Sequence, residues 1–244
     1  MKPWELLGET RTPDGTLLAL TRQDREYVIL ANGRSLMSSR MHGSEEALAT
    51  IACRRARGIA RPCVLVGGLG MGFTLRATLD ALPPEAVVIV AELLPAVVAW
   101  NRGVLAPLAE HPLEDRRVEL VVGDVADTIA SSRGRFDAVL LDVDNGPDAL
   151  TASANDGLYG DAGLSAISRA LTQGGVVGVW SARDDRKFEQ RLRFAGFDVA
   201  VERVRARLKQ GGPRHTIFIG AARAGNARRG THYRDGSEGR HELL

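Results

Sequence analysis

Apolar runs of strand length alternate with longer amphipathic stretches through the middle of the chain. The runs occupy 63–66, 87–91, 118–122, 136–141 and 175–180. The stretches between and after them include 73–82, 96–108, 158–171 and 184–195, and these favour helices. Buried strands that alternate with helices predict an α/β fold with a parallel sheet covered on both faces.

The pattern changes towards the end of the chain. Two further strand-like runs, 197–204 and 216–220, flank Gly211, Gly212 and Pro213. This connection is too short for a helical crossover, so we expect the two strands to pair antiparallel. The sequence therefore predicts a mostly parallel seven-stranded sheet with an antiparallel hairpin at its end.

The first part of the chain differs from the alternating part. Runs at 16–21 and 26–31 favour strands, and Asp14-Gly15 and Asn32-Gly33 are turn signals at their borders. A helix is expected from Ser44 to about position 57. We therefore divide the chain into a small β segment with a linker (1–43), a Rossmann-like domain (44–222) and a basic tail (223–244) that is expected to be disordered.

Charge and hydropathy exclude several classes of protein. The formal net charge is +2, and the tail, with five arginines against three acids, carries that surplus. A nucleic-acid partner is therefore not expected. The longest apolar stretch, 86–100, is broken by Glu92 and Pro95, so we expect no membrane span. Cys53 and Cys63 are read as two buried, reduced thiols of a cytoplasmic protein.

A glycine-rich loop follows the first strand of the alternating region. Gly67, Gly68, Gly70 and Gly72 stand between this strand and the next helix. Glycines at this place allow a ligand to approach the backbone near the positive end of the helix. They do not form G-x-G-x-x-G, and no Gly-Lys-Ser/Thr follows them. The alternative is that they only let the helix pack on the strand.

Acidic residues follow the next two strands. Glu92 ends its strand 22 residues after Gly70 and suits the two hydroxyls of a ribose. Asp124 follows the third strand and is a candidate acceptor for the amino group of an adenine. The alternatives are a strand-end acid that faces water for Glu92 and a helix N-cap for Asp124, which is compatible with adenine binding.

The loop after the fourth strand carries the candidate catalytic groups. Asp142 and Asp144 stand there, followed by Asn145. Ligands of open α/β sheets lie at the carboxyl ends of the strands, where a carboxylate can hold an amine and accept its proton. The alternative is a turn in which Asp caps its own backbone. Weaker candidates for substrate contacts are Arg40, His42, Asn145, Tyr159 and Trp180. No His, Cys, Asp or Glu set has metal-ligand spacing.

Over roughly 26–220 the chain resembles the spermidine synthase-like branch of the class I S-adenosylmethionine (SAM)-dependent transferases. The features that carry the resemblance are the small β segment, the 38–46 linker, the 67–72 glycine loop, Glu92, Gly123-Asp124, the Asp142 loop, Leu158-Tyr159 and Gly174-Gly175. It implies the class I SAM-methyltransferase fold and an adenosyl cofactor held at its ribose by Glu92 and at its adenine by Asp124. It also implies a nucleophile deprotonated near Asp142, and a homodimer formed through the β segment.

The sequence departs from that branch at two acidic positions. Aminopropyltransferases carry an acid in the glycine loop where Gly70 stands, and a second catalytic-loop acid where Asn145 stands. Gly70 removes a repulsion towards the carboxylate of intact SAM. We therefore expect a methyltransferase that uses SAM and acts on a small molecule, such as an amine. The alternatives are an aminopropyltransferase that uses decarboxylated SAM and an adenosyl-binding module without catalysis.

Overall fold

Strands form two separate sheets in the computed structural model, which describes residues 2–143, 157–207 and 211–223. The smaller sheet is an antiparallel meander at the start of the chain. Its strands are β1 (Glu5–Arg11), β2 (Leu17–Gln23), β3 (Glu26–Ala31) and β4 (Arg34–Ser38). Asn32 and Gly33 both adopt positive φ angles in the last turn, as the turn signal predicted.

The sequence predicted only the two middle strands of this meander. β1 alternates poorly because it is largely exposed and is interrupted by a bulge between Leu6 and Gly8. β4 is only five residues long. Neither strand therefore presents the clean period-two pattern on which a strand prediction depends.

The larger sheet confirms the predicted α/β architecture. Its strands are β5 (Cys63–Gly67), β6 (Val87–Glu92), β7 (Val118–Val122), β8 (Phe136–Leu141), β9 (Leu171–Ser181), β10 (Phe197–Arg205) and β11 (Arg214–Ala222). They lie in the order β10-β11-β9-β8-β5-β6-β7. The first five strands of this set are parallel, whereas β11 runs antiparallel to both β9 and β10.

The helices that lie wholly within the described residues are α1 (Gly43–Ala52), α2 (Phe73–Ala81), α3 (Pro95–Arg102), α4 (Val125–Ala130), α5 (Asp161–Ala170) and α6 (Arg186–Phe194). Three predicted helices were too long. The helix expected to reach position 57 ends at Ala52, and the 96–108 helix ends before Gly103. Gly103 ends α3, and a separate 3₁₀ turn that contains a proline, Ala106–Ala109, follows it.

The third correction concerns the segment expected to be helical over 158–171. Residues 157–159 are helical, Gly160 interrupts the helix, α5 begins at Asp161, and Leu171 is already the first residue of β9. β9 is consequently much longer than the strand expected at 175–180. Gly174 adopts φ +71°, so the early part of the strand bends where the sequence indicates a turn.

Side chains of the large sheet pack into two apolar clusters, one on each face. Along β5, Val64 and Val66 join the cluster under α1 and α2, while Leu65 joins the opposite one. This alternation is the geometry of a strand buried on both faces. Cys53 is buried as expected, but Cys63 is partly exposed at the start of β5, which corrects the expectation of two buried thiols. No described helix is long and apolar enough to cross a bilayer.

The strand order places the candidate site. From β5 the chain proceeds to β6 on one side, and β8 lies on the other side of β5. At this reversal the carboxyl ends of β5 and β8 lie side by side, with Gly67 opposite Leu141. Ligand crevices of open α/β sheets form at such a point.

Candidate active site

The glycine loop that follows β5 needs glycine for two reasons. Gly68, Gly70 and Gly72 have φ angles of +87°, +53° and +87°, which side chains rarely adopt. A Cβ on Gly68 would also stand 2.3 Å from the carbonyl oxygen of Asp142, and one on Gly67 would stand 2.8 Å from Val125. The loop therefore lies directly against the end of β8, and the glycines do more than let a helix pack.

Glu92 holds this loop in place at the end of β6. The residue is buried, at 7% exposure, so it is not a strand-end acid facing water. Its Oε2 accepts the backbone N–H of Leu69 at 2.9 Å, and its Oε1 accepts that of Leu94 at 2.9 Å. One carboxylate thus joins the glycine loop to the β6–α3 turn, which is the location expected for a ribose-binding acid.

Asn101 supports the same loop from α3. Its Nδ2 donates to the carbonyl oxygen of Gly70 at 2.8 Å and to that of Val97 at 3.0 Å. The residue is almost fully buried. Sequence reasoning missed it, because an Asn near a helix end is an ordinary feature and its partner is 31 residues away.

Asp124 caps α4. Its Oδ1 accepts the backbone N–H of Ala126 at 2.8 Å, and the residue is exposed at the end of β7. The alternative N-cap interpretation is therefore observed. Contact with an adenine remains a prediction that is compatible with this cap, because the second carboxylate oxygen has no protein partner among the hydrogen bonds described.

Asp142 follows β8 directly and lies beside the N-terminal turn of α2. Thr74 Oγ1 donates to its Oδ2 at 2.5 Å. Burial raises the pKa of Asp142 to about 6, and the Thr74 hydroxyl opposes that rise by stabilising the carboxylate. Asp144 and Asn145, the other candidates of this loop, lie outside the described residues.

Glu45 is a site residue that the sequence analysis did not identify. In the structure, burial raises the pKa of Glu45 to about 7, and the charge of Asp142 raises it further in the same direction. Ser44 Oγ donates to Glu45 Oε2 at 2.6 Å. The two carboxyl groups therefore lie close enough to interact electrostatically, and we call Glu45 and Asp142 the acidic pair, although 97 positions separate them along the chain.

The linker residues divide between the site and the surface. His42 stacks on Phe73, the first residue of α2, with ring centroids 4.0 Å apart, and its Nδ1 lies 2.6 Å from Glu46 Oε1. Arg40 forms an ion pair with Glu26 at 3.1 Å and is mostly exposed. The structure thus brings His42 to the start of α2 and gives Arg40 a partner on β3.

Two aromatic candidates have different surroundings. Tyr159 is buried in the cluster on the α5 side of the sheet, edge-on to Phe188 at 5.5 Å. Trp180 lies near the end of β9, edge-on to His215 at 4.7 Å. Its Nε1 is buried and has no hydrogen-bond partner in the described part of the chain. Within the same residues, no group of three or more His, Cys, Asp or Glu has the geometry of a metal site.

The strand order, the antiparallel β11 and the glycine loop define the class I SAM-methyltransferase-like fold. Solved structures share it. Spermidine synthase from Thermotoga maritima superposes with a TM-score of 0.68 at 18% identity, covering 88% of this chain and 72% of that one. A probable spermidine synthase from Corynebacterium glutamicum gives 0.59 at 16% identity, covering 91% and 81%. The chain therefore shares the fold of these spermidine synthases, as the resemblance implied.

Sequence comparison points to the same branch over part of the chain. A polyamine aminopropyltransferase of Clostridium tetani is 32% identical over 113 residues, which are 46% of this chain and 38% of that protein. One of a Ruegeria species is 30% identical over 124 residues, covering 50% and 40%. The matches thus span about two fifths of the length of these curated relatives. No protein-family model matches the chain.

Proposed function

We propose that this chain transfers an aminopropyl group from decarboxylated SAM to a small amine. The observation that carries the proposal is the acidic pair of Asp142 and Glu45 beside the glycine loop. Paired carboxylates can replace the water around an ammonium group, which a neutral crevice cannot do. The aminopropyltransferase names of the curated relatives support this donor over intact SAM.

The residues present fit an adenosyl group. Positive φ angles at Gly68 and Gly70 let the backbone turn tightly at the carboxyl end of β5, and Glu92 fixes this loop at its back. We assign Gly68, Gly70 and Glu92 to the adenosyl and ribose moieties, and Asp124 to the adenine edge. A bound adenosyl sulfonium supplies an electrophilic carbon, so the protein has mainly to position and deprotonate the nucleophile.

Asp142 is the proposed base. An amine acceptor arrives as an ammonium ion and must lose one proton before its nitrogen lone pair can attack. With a pKa of about 6, Asp142 is ionised near neutral pH and still basic enough to take that proton. Thr74 holds the carboxylate by its Oδ2, which leaves Oδ1 for the acceptor.

Methyl transfer from intact SAM is the second candidate, and one observation favours it. A Cβ on Gly70 would meet Met37 Cε at 3.1 Å and Sδ at 3.3 Å, so an apolar thioether borders the position where aminopropyltransferases carry an acid. Position 70 therefore supplies no carboxylate for the ammonium group of decarboxylated SAM. In the proposed function, Glu45 and Asp142 supply the negative charge of the site instead.

The thioether that the donor releases distinguishes aminopropyl transfer from methyl transfer. Purified protein is incubated with a panel of diamines and either donor, and the released thioether is identified by mass spectrometry. Aminopropyl transfer predicts 5′-methylthioadenosine from decarboxylated SAM, whereas methyl transfer predicts S-adenosylhomocysteine from SAM. Asp142→Asn is expected to lose at least about a hundredfold in turnover, whereas Asp80→Asn, on the exposed side of α2, serves as the matched control. Binding of either donor without turnover would instead support the non-catalytic module.

A further inference from the structure

Two consecutive hydrogen bonds link Glu45 of the acidic pair to His215 on β11. Ser44, the second residue of α1, is fully buried and has two partners. Its Oγ lies 2.6 Å from Glu45 Oε2 and 2.8 Å from His215 Nδ1. His215 is partly exposed, so these hydrogen bonds join a carboxylate of the candidate site to a side chain that reaches solvent. Neither Ser44 nor His215 has a role in the proposed transfer.

We propose that Ser44 and His215 form the path by which the proton of the acceptor amine leaves the site. This inference rests on the proposed function, because such a transfer releases one proton per turnover. An ammonium acceptor and a sulfonium donor yield a new ammonium group, a neutral thioether and one proton. Asp142 and Glu45 can hold that proton between them only until the next acceptor arrives.

The hydrogen-bond geometry allows the proton to move in one concerted step. Glu45 Oε2–H breaks as Ser44 Oγ takes its proton, and the original Ser44 hydroxyl proton forms the new N–H bond at His215 Nδ1. Glu45 is then a carboxylate and His215 an imidazolium. The imidazolium gives its Nε2 proton to water, and exchange with water later restores the Nε2–H tautomer.

The charges around the path favour its two ends, uptake of the proton at Glu45 and its release to water from His215, whereas the step between them is uphill and is driven by that release. Burial raises the pKa of Glu45 to about 7, and the charges of Asp142 and Glu46 add to that rise; Glu46 is in turn paired with His42. Around His215 the described partners are the neutral Ser44 and the edge of Trp180. Burial lowers the pKa of His215 below its usual value, so its imidazolium readily returns the proton to water.

The tautomer of His215 tests the path without any need for turnover. A neutral Glu45 donates to Ser44, which then donates to Nδ1, so the ring carries its proton on Nε2. An ionised Glu45 accepts from Ser44, which then accepts from Nδ1–H. Nitrogen chemical shifts of labelled histidine should therefore report a change of tautomer with a midpoint near pH 7. The Ser44→Ala and Glu45→Gln variants should not show it, and His215→Gln assigns the signal.

Kinetics tests the transport step itself. Ser44→Ala and His215→Gln should lower kcat about tenfold or more at low buffer concentration, with little change in KM, and added imidazole should restore part of the loss. The matched controls are Ser132→Ala, a buried serine bonded to Thr128, and His111→Gln, an exposed histidine paired with Glu114. Neither control should respond to imidazole.

The two experiments separate failure of the path from failure of the function. A single tautomer of His215 from pH 6 to 8.5 in the unaltered protein would overturn the path, whatever the protein catalyses. A reduced kcat that ignores imidazole would mean that Ser44 and His215 are only structural, and would also overturn it. Absence of turnover with both donors would remove the proposed function, while the tautomer measurement would still decide whether the three groups exchange a proton.

Discussion

A Cβ on Gly68 would stand 2.3 Å from the carbonyl oxygen of Asp142. This contact joins the end of β5 to the end of β8, so the loop assigned to the cofactor and the assigned base lie side by side. Gly68 also has φ +87°, which adds a second reason for glycine. The geometry of the base and that of the loop therefore depend on each other.

Replacing Gly68 with alanine should disturb both the glycine loop and the position of Asp142. Backbone strain at positive φ and the clash with Asp142 should together lower the free energy of unfolding by about 2 kcal/mol or more. Calorimetric titration with 5′-methylthioadenosine should show binding at least tenfold weaker. Gly58→Ala is the control, since Gly58 has open space around its Cβ position and no positive φ. Unchanged binding in Gly68→Ala would contradict the placement of the ligand on this loop.

Thr74→Val should change the pH dependence of turnover. The Thr74 hydroxyl lowers the pKa of Asp142, so its removal should raise that pKa above about 6. The base is active when ionised, and the acidic limb of the kcat profile should move to higher pH. As a control, Thr78→Val removes a hydroxyl of the same helix that donates to the Thr74 carbonyl oxygen at 2.8 Å. If the acidic limb of the kcat profile keeps its original position in both variants, a group other than Asp142 determines that position.

Glu92→Gln should weaken the glycine loop. Both carboxylate oxygens accept backbone N–H groups, from Leu69 and from Leu94, and a glutamine amide can accept only one of them. A buried N–H left without a partner costs about 1–3 kcal/mol. We expect lower stability in urea and weaker binding of the adenosyl ligand. Glu85→Gln, an exposed carboxylate, should leave both unchanged. A stable variant with full affinity would exclude Glu92 from the site.

The stability of the protein should fall as pH rises through the titration of Glu45. Its pKa is about 7 in the folded state against a usual value of 4.5, so the folded state binds the proton more tightly. Ionisation between about pH 4.5 and 7 then costs up to about 3 kcal/mol of folding free energy. Urea unfolding across this range should show that decline, and Glu45→Gln should reduce it to the part that Asp142 contributes, because burial also raises the pKa of Asp142.

The control for this measurement is Glu119→Gln on β7, an exposed carboxylate near Arg135. It should retain the slope of the unaltered protein, because exposed ion pairs contribute little. An equal slope in Glu45→Gln would show that Glu45 titrates normally, and would remove the acidic pair from the site.

The strands of the large sheet and the antiparallel hairpin at its end could be predicted from the sequence alone. Buried parallel strands appear as apolar runs, and the short connection around Gly211 and Gly212 indicated the antiparallel hairpin. The helix ends and the strands β1 and β4 were predicted poorly. Those features depend on exposed or short segments, where periodicity gives little signal.

The residues of the site also differ in how far the sequence could predict them. Gly68, Glu92, Asp124 and Asp142 could be singled out because each follows a strand of the parallel sheet, and strand ends share one edge. Thr74, Asn101 and Glu45 could not, because Thr, Asn and Glu are ordinary residues on helices and nothing in their spacing marks a partner. Their significance comes from contacts made across many positions of the chain.

The sequence by itself determined the layered α/β fold and the edge of the sheet where chemistry is expected, because hydrophobic periodicity is a local property. Only the tertiary structure decided that Glu45 faces Asp142 and that Ser44 connects it to His215. These relationships depend on how α1 packs between the strand ends of β8 and β11. No local pattern encodes that packing, since it follows from burying both faces of the sheet at once.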